Sequence, residues 1–278
     1  MRVSTATHRA NDDILRLVRK GCVVFTVGVY ILLVPFSCLI FAALYLIWRP
    51  TPLARLRRTQ ALVSLGYRTM HRWLNLVRLT RWDMSRPLEK VPEGAFVVIA
   101  NHPTLMDVTA IMGLLGGACT VSKPGLHKRF VLRPILRGSG VIAGAGGDPS
   151  AAARVLDEAV ALIEQGFPML IFPEGTRSPR GELLPFGRAA FEMACRARVP
   201  VLSLAITCEP AWLSKEQPLF DPPHQTPHLQ LVTLAIDDPA RVDYDSRQLC
   251  RLIEGRYQQW FRGLQPEISA VEPEMHNR

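Results

Sequence analysis

The chain has 278 residues, 48% of them hydrophobic, enough for one full-sized core with an appendage. Its six cysteines form no C-x-x-C pair, which argues against a zinc site or a disulfide framework and suits a reducing, cytosolic setting. A formal charge of +9 favours an anionic partner: nucleic acid, anionic lipid or an acidic carrier.

Residues 1–20 form a basic N-terminal segment ending in Arg16, Arg19 and Lys20. Gly21 to Trp48 then runs for 28 positions without a charged residue, which is membrane-length apolar sequence. A cleaved signal peptide has a shorter apolar region, roughly 7–15 residues, and a small-residue cleavage site, so residues 21–48 are read as a retained anchor. As one straight helix the run is about 42 Å long, against roughly 30 Å of hydrocarbon. Pro35 lies near its middle, and cations flank both ends, with Arg49, Arg55, Arg57 and Arg58 on the far side. Balanced charge fits a helical hairpin with both ends cytoplasmic better than one tilted, kinked crossing.

From Arg49 to Trp82 there are eight arginines and no Asp or Glu, while Val63, Tyr67, Met70 and Leu74 recur at helical spacing. Residues 49–80 therefore read as a basic amphipathic helix lying on anionic headgroups. The competing reading is an ordinary helix packed on a domain with solvated arginines. Beside so long an apolar run, nucleic acid is the poorer partner.

Between residues 81 and 265 apolar runs alternate with helical stretches. Candidate strands are 95–100, 119–123, 140–144, 169–172, 201–207 and 229–236; candidate helices are 105–115, 128–137, 151–165, 188–196 and 246–261. This alternation predicts an α/β fold, a mainly parallel central sheet flanked by helices, with functional groups at the carboxyl ends of the strands. Residues 266–278 read as a short, flexible tail.

His102 stands at the end of the first strand, held out of helical conformation by Pro103, and Asp107 falls one turn into the next helix. Thr104-x-x-Asp107 is also a capping-box pattern, which accounts for the carboxylate and leaves the imidazole unexplained. A carboxylate on one imidazole nitrogen fixes the tautomer and steadies the charge when the other nitrogen takes a proton. Gly138-Ser139-Gly140 is too short for a nucleophile elbow, so the nucleophile has to arrive with the substrate.

A second constellation, F-P-E-G-T-R-S at 172–178, follows another buried run. Gly175 permits a tight turn, Arg177 can bind a phosphate with two hydrogen bonds, and Glu174 can accept from a hydroxyl. By itself it could be a surface turn; beside His102 it reads as the wall of a shared cleft. His224 and His228 have helical metal-ligand spacing, but Pro222, Pro223 and Pro227 make the segment a loop, and no metal is expected.

These blocks resemble the lysophospholipid acyltransferase family, whose bacterial type is the 1-acylglycerol-3-phosphate acyltransferase. N-H-P-T-L-M-D at 101–107 resembles its N-H-x4-D block, G-V-I at 140–142 the start of its second, F-P-E-G-T-R-S its third and V-P-V-L-S-L-A at 199–205 its fourth. Lys123 and L-P-F-G-R-A-A-F at 184–191 also fall where the family has similar residues. The resemblance implies a glycerolipid acyltransferase-like catalytic domain over 81–265. His102 and Asp107 would be catalytic, and Glu174, Gly175, Thr176, Arg177, Lys123 and Arg188 would bind substrate. No cofactor is implied beyond an acyl-CoA or acyl-carrier-protein co-substrate, and the acceptor would be a lysophospholipid. An inner (cytoplasmic) membrane location with the domain facing the cytoplasm follows.

In one position the chain departs from the family. The arginine that usually follows the second block, and contacts the acceptor's phosphate, is matched here by Gly146. An acceptor other than lysophosphatidic acid, such as an amino-acid lipid or a polyene or pigment hydroxyl, therefore stays open. So does a non-catalytic lipid-binding role.

Overall fold

A computed structural model of the chain describes residues 3–48, 51–83, 88, 90–129, 132–179 and 181–271. The six apolar runs form six strands: β1 (Val97–Ala100), β2 (Cys119–Ser122), β3 (Val141–Ala143), β4 (Met169–Ile171), β5 (Val201–Glu209) and β6 (His228–Asp237). They make one sheet in the order β3-β2-β4-β1-β5-β6. The first five are parallel, and β6 returns antiparallel along β5. The sheet is therefore mixed, with one antiparallel edge.

Alternate residues of β1 point to opposite faces and define two layers. Val97 and Ile99 pack with Ala159 and Ile163 of α6 (Pro149–Glu164), Phe191 of α7 (Ala189–Ala197) and Ile253 and Tyr257 of α8 (Ser246–Val271). Val98 and Ala100 pack with Ala110 and Ile111 of α3 (Asp107–Leu115) and with Trp82. Ile99, Phe191, Ile253 and Tyr257 are wholly buried, each contributing roughly 1.5–3 kcal/mol of apolar transfer. The Tyr257 hydroxyl donates to the carbonyls of Leu204 (2.6 Å) and Ile99 (3.2 Å), tying α8 to the centre of the sheet.

Several boundaries differ from expectation. The helix expected at 128–137 begins only at Arg133, as α5 (Arg133–Gly138), and a short unexpected helix, α4 (Pro124–His127), precedes the range; each has a proline in its first turn. A proline suits a helix start, where its missing N–H is not needed, and interrupts a helix that tries to run through it. The last helix continues to Val271, past the expected end; residues 272–278 of the expected tail lie outside those described.

The N-terminal region corrects two expectations. The favoured hairpin is not formed: α1 (Val3–Trp48) is one continuous helix with Pro35 inside it. Its segment Leu15–Ile40, 26 residues with mean hydropathy 2.5, is long and apolar enough to cross a membrane. In α2 (Pro52–Leu76) the stripe Tyr67, Met70 and Leu74 faces the protein, Tyr67 toward α3 and Met70 and Leu74 toward α1, rather than an outer surface. The rest of the buried stripe is polar. Gln60 donates to Ser139 O (3.2 Å) and Ser64 to Gly113 O (3.3 Å), while Leu53, Leu62, Leu65 and Leu76 are left exposed on the outside. Arg49 lies outside the described residues.

His71, wholly buried, completes that polar stripe with Nε2 2.9 Å from Thr109 Oγ1 and an edge contact to Trp82. Thr109 gives its own proton to Met106 O, so the neutral ring donates through Nε2 and its Nδ1 has no partner. Burial lowers the His71 pKa from 6.5 to about 4. The unfolded chain takes up that proton near pH 6.5 while the folded chain resists it. Stability present above pH 6.5 is thus lost as the pH falls toward 4, by up to about 3 kcal/mol. His71→Gln should flatten this part of the pH dependence in thermal melts between pH 7 and 4. Parallel curves for the two proteins would contradict the assignment.

Candidate active site

The carboxyl ends of β1 and β4 bring the two singled-out motifs together. Asn101 extends the β1–β5 pairing beyond Ala100: its side chain donates to Ile206 O (2.9 Å) and accepts from Ile206 N (2.7 Å). The chain then leaves the sheet at His102. The His102 ring stacks on Phe172 with centroids 4.2 Å apart, and its Nδ1 lies 2.8 Å from Asp107 Oδ2. Its side chain is 15% exposed and that of Asp107 is wholly buried, so the pair has a closed end and an open end.

Asp107 makes contacts of both kinds weighed for it, to the imidazole and to Thr104. It opens α3, two residues later than the sequence suggested, and reaches back to Thr104, accepting from the backbone N–H (2.7 Å) and the hydroxyl (2.5 Å). Thr104 Oγ1 in turn accepts from Met106 N (3.1 Å). Burial pushes the Asp107 carboxyl up from its ordinary range, while the hydrogen bonds from His102 and Thr104 pull it down. With Asp107 accepting at Nδ1, the His102 proton sits on Nδ1 and the Nε2 lone pair is left for a substrate proton.

The second motif is stitched to the first. His102 N donates to Glu174 Oε1 (2.9 Å) and His102 O accepts from Ser178 N (2.9 Å). Glu174 also accepts from the Ser178 hydroxyl (2.8 and 2.7 Å) and from Leu184 N (2.8 Å). The expectation that Glu174 awaits a substrate hydroxyl thus meets a carboxylate already occupied by three internal donors. It acts as a brace for His102. Gly175 has φ +68 and open space around the position a Cβ would take, so the turn, rather than a close approach within the protein, requires glycine. Thr176 is half-buried in the same turn.

Arg177 donates from Nη1 to the carbonyls of Leu213 and Ser214, both at 2.8 Å, which leaves Nε and Nη2 for a ligand. Lys123 is exposed at the end of β2, the strand beside β4, on the same edge of the sheet. Arg188 is not brought into this group: it precedes α7, and its charge acts on Glu192 and on Cys250 of α8. Gly146, at the position of the family's arginine, has φ +61, and a Cβ there would lie 3.2 Å from Pro124 Cγ. An arginine at this position would be strained. Sequence reasoning paired Thr104 with Asp107 but missed Asn101 and Ser178 as supports; both lie inside the quoted motifs.

Residues 85–207 match the family described as Acyltransferase. This part of the chain is similar to that family, and the curated relatives it matches are named 1-acyl-sn-glycerol-3-phosphate acyltransferases. The 1-acyl-sn-glycerol-3-phosphate acyltransferase of Cocos nucifera is 28% identical over 181 residues, covering 62% of this chain and 54% of that one. The alpha form from Homo sapiens is 31% identical over 135 residues, 46% of each chain. This chain thus spans about half the length of the curated relatives it matches. The crystal structure of the 1-acyl-sn-glycerophosphate acyltransferase PlsC from Thermotoga maritima shares the fold with a TM-score of 0.70 at 21% identity, over 91% of this chain and 98% of that one.

Proposed function

We propose that the protein is a membrane-associated O-acyltransferase that moves a fatty acyl group from acyl-CoA or acyl-carrier protein to the hydroxyl of 1-acylglycerol-3-phosphate in phospholipid synthesis. The observation that carries this reading is the His102–Asp107 pair, held open to the cleft and stitched through His102's own backbone to the E-G-T-R turn. His102 Nε2 takes the proton of the acceptor hydroxyl. The oxygen attacks the thioester carbonyl, and the tetrahedral intermediate collapses to the ester by expelling the thiolate, which recovers the proton from Nε2. Asp107 stabilises the imidazolium between these steps, and no acyl-enzyme is formed. General-base catalysis of this kind contributes typically 10²–10⁴-fold.

Arg177 is assigned to the acceptor's phosphate, with Lys123 as a second cation. Ile31, Leu32, Leu33, Phe36, Leu39 and Ile40 of α1 are exposed, which supports insertion in a membrane; we assign this to the inner membrane, with the domain on the cytoplasmic side. Labelled acyl-CoA and acyl-carrier protein, offered with lysophosphatidic acid and with phosphate-free acceptors, test the reading. Phosphatidic acid should form. Transfer only to a phosphate-free lipid would follow instead from the missing cation at Gly146, and no transfer to any acceptor would refute the activity. Arg177→Ala should raise the acceptor's KM by roughly 10–100-fold and leave the donor's unchanged, as for loss of a charge-assisted hydrogen bond. A rise in the donor's KM instead would place Arg177 on the wrong substrate.

A further inference from the structure

The loop 210–227 between β5 and β6 touches the candidate site on one side and α1 on the other. On the site side, the Leu213 carbonyl accepts from Arg177 Nη1 (2.8 Å) and from Leu105 N (3.0 Å), and so joins both motifs. Leu213 makes this double contact in a left-handed conformation, φ +56, which a leucine adopts only when its surroundings impose it. On the other side, Trp212 and Leu213 are buried with Val23 of α1, Leu74 of α2 and Met106. Arg19 of α1, itself buried, donates to His224 O (2.8 Å) and Gln225 O (3.3 Å), and Arg16 and Lys20 pair with Asp221 at 3.0 and 3.1 Å. The three cations expected on the N-terminal side of the anchor are thus spent on this loop.

We propose that α1 is a structural part of the acceptor side of the active site. Its segment from Arg16 to Val27 clamps the loop, and the clamp holds the strained Leu213 where its carbonyl positions Arg177 and Leu105. Arg19 and Leu213 are positioning residues in this account, which rests on the assignment of Arg177 to the acceptor. Buried guanidinium-to-carbonyl bonds are directional and desolvated, so Arg19 carries more of the clamp than the half-exposed Asp221 pairs.

Arg19→Ala in the full chain tests the clamp by two readouts. Hydrogen exchange should accelerate by an order of magnitude or more in peptides covering 104–106 and 211–215 while those from β1 stay protected. This readout needs no acceptor and distinguishes failure of the clamp from failure of the proposed activity. In steady-state assays the acceptor's KM should rise on the order of 10-fold, with kcat and the donor's KM little changed. Should Arg19→Ala fail to fold, Leu213→Gly carries the test, because glycine keeps the left-handed conformation available and removes the side chain that α1 grips. Unchanged exchange at 104–106 in a folded variant, or equal losses toward donor and acceptor, would overturn the proposal.

Discussion

Asp107→Asn is expected to lower kcat by roughly 10²- to 10⁴-fold with little change in either KM. The substitution is nearly isosteric. An asparagine oxygen at the Oδ2 position can still accept from His102 Nδ1 and Thr104 N, and the Thr104 hydroxyl can rotate to accept from the new amide at Oδ1. What is lost is the negative charge that favours the imidazolium, and that charge is worth more because the carboxylate is wholly buried. Thermal melts should therefore change little while turnover collapses. A variant with near-normal kcat would show that the pair is a helix cap and nothing more.

Glu174→Gln is expected to harm stability and activity together. Oε1 accepts from His102 N and Oε2 from Leu184 N, so whichever end the glutamine amide occupies, its NH2 group faces a backbone N–H. One donor must lose its partner, at about 1–3 kcal/mol. For a domain of this size that corresponds to a fall in Tm of roughly 2–4 °C per kcal/mol. If the loss falls at His102 the imidazole moves with its backbone, and displacements near 1 Å can cost about 100-fold in rate. Calorimetry and kcat on the same preparation check this. Full stability with full activity would mean that the brace is dispensable.

The strands were legible because buried parallel strands are short continuous apolar runs, and the V-V-I-A and V-L-S-L-A segments admit little else. The His102–Asp107 pair was legible because a histidine before proline at a strand's end has no packing explanation. The direction of α2 was not. Its inner face carries Gln60, Ser64 and His71, each hydrogen-bonded to a particular backbone or hydroxyl partner, while leucines lie outside, so hydrophobic periodicity alone cannot orient it. The internal partners of Glu174 were hidden for a related reason: composition identifies an acceptor group, and only the folded chain shows which donors it meets. Leu213 gave no signal, since nothing in a leucine announces a left-handed backbone.

The central claim is that His102 moves the acceptor's proton, and the most direct measurement is ester formation by purified wild type and His102→Ala with labelled acyl donor and lysophosphatidic acid. Folding and vesicle binding are checked on the same samples. The account predicts one thiol released per ester formed by the wild type, no labelled protein when the acceptor is omitted, and a rate at least about 100-fold lower for the variant. Near-wild-type turnover by folded His102→Ala, or an acylated enzyme accumulating without acceptor, would contradict it.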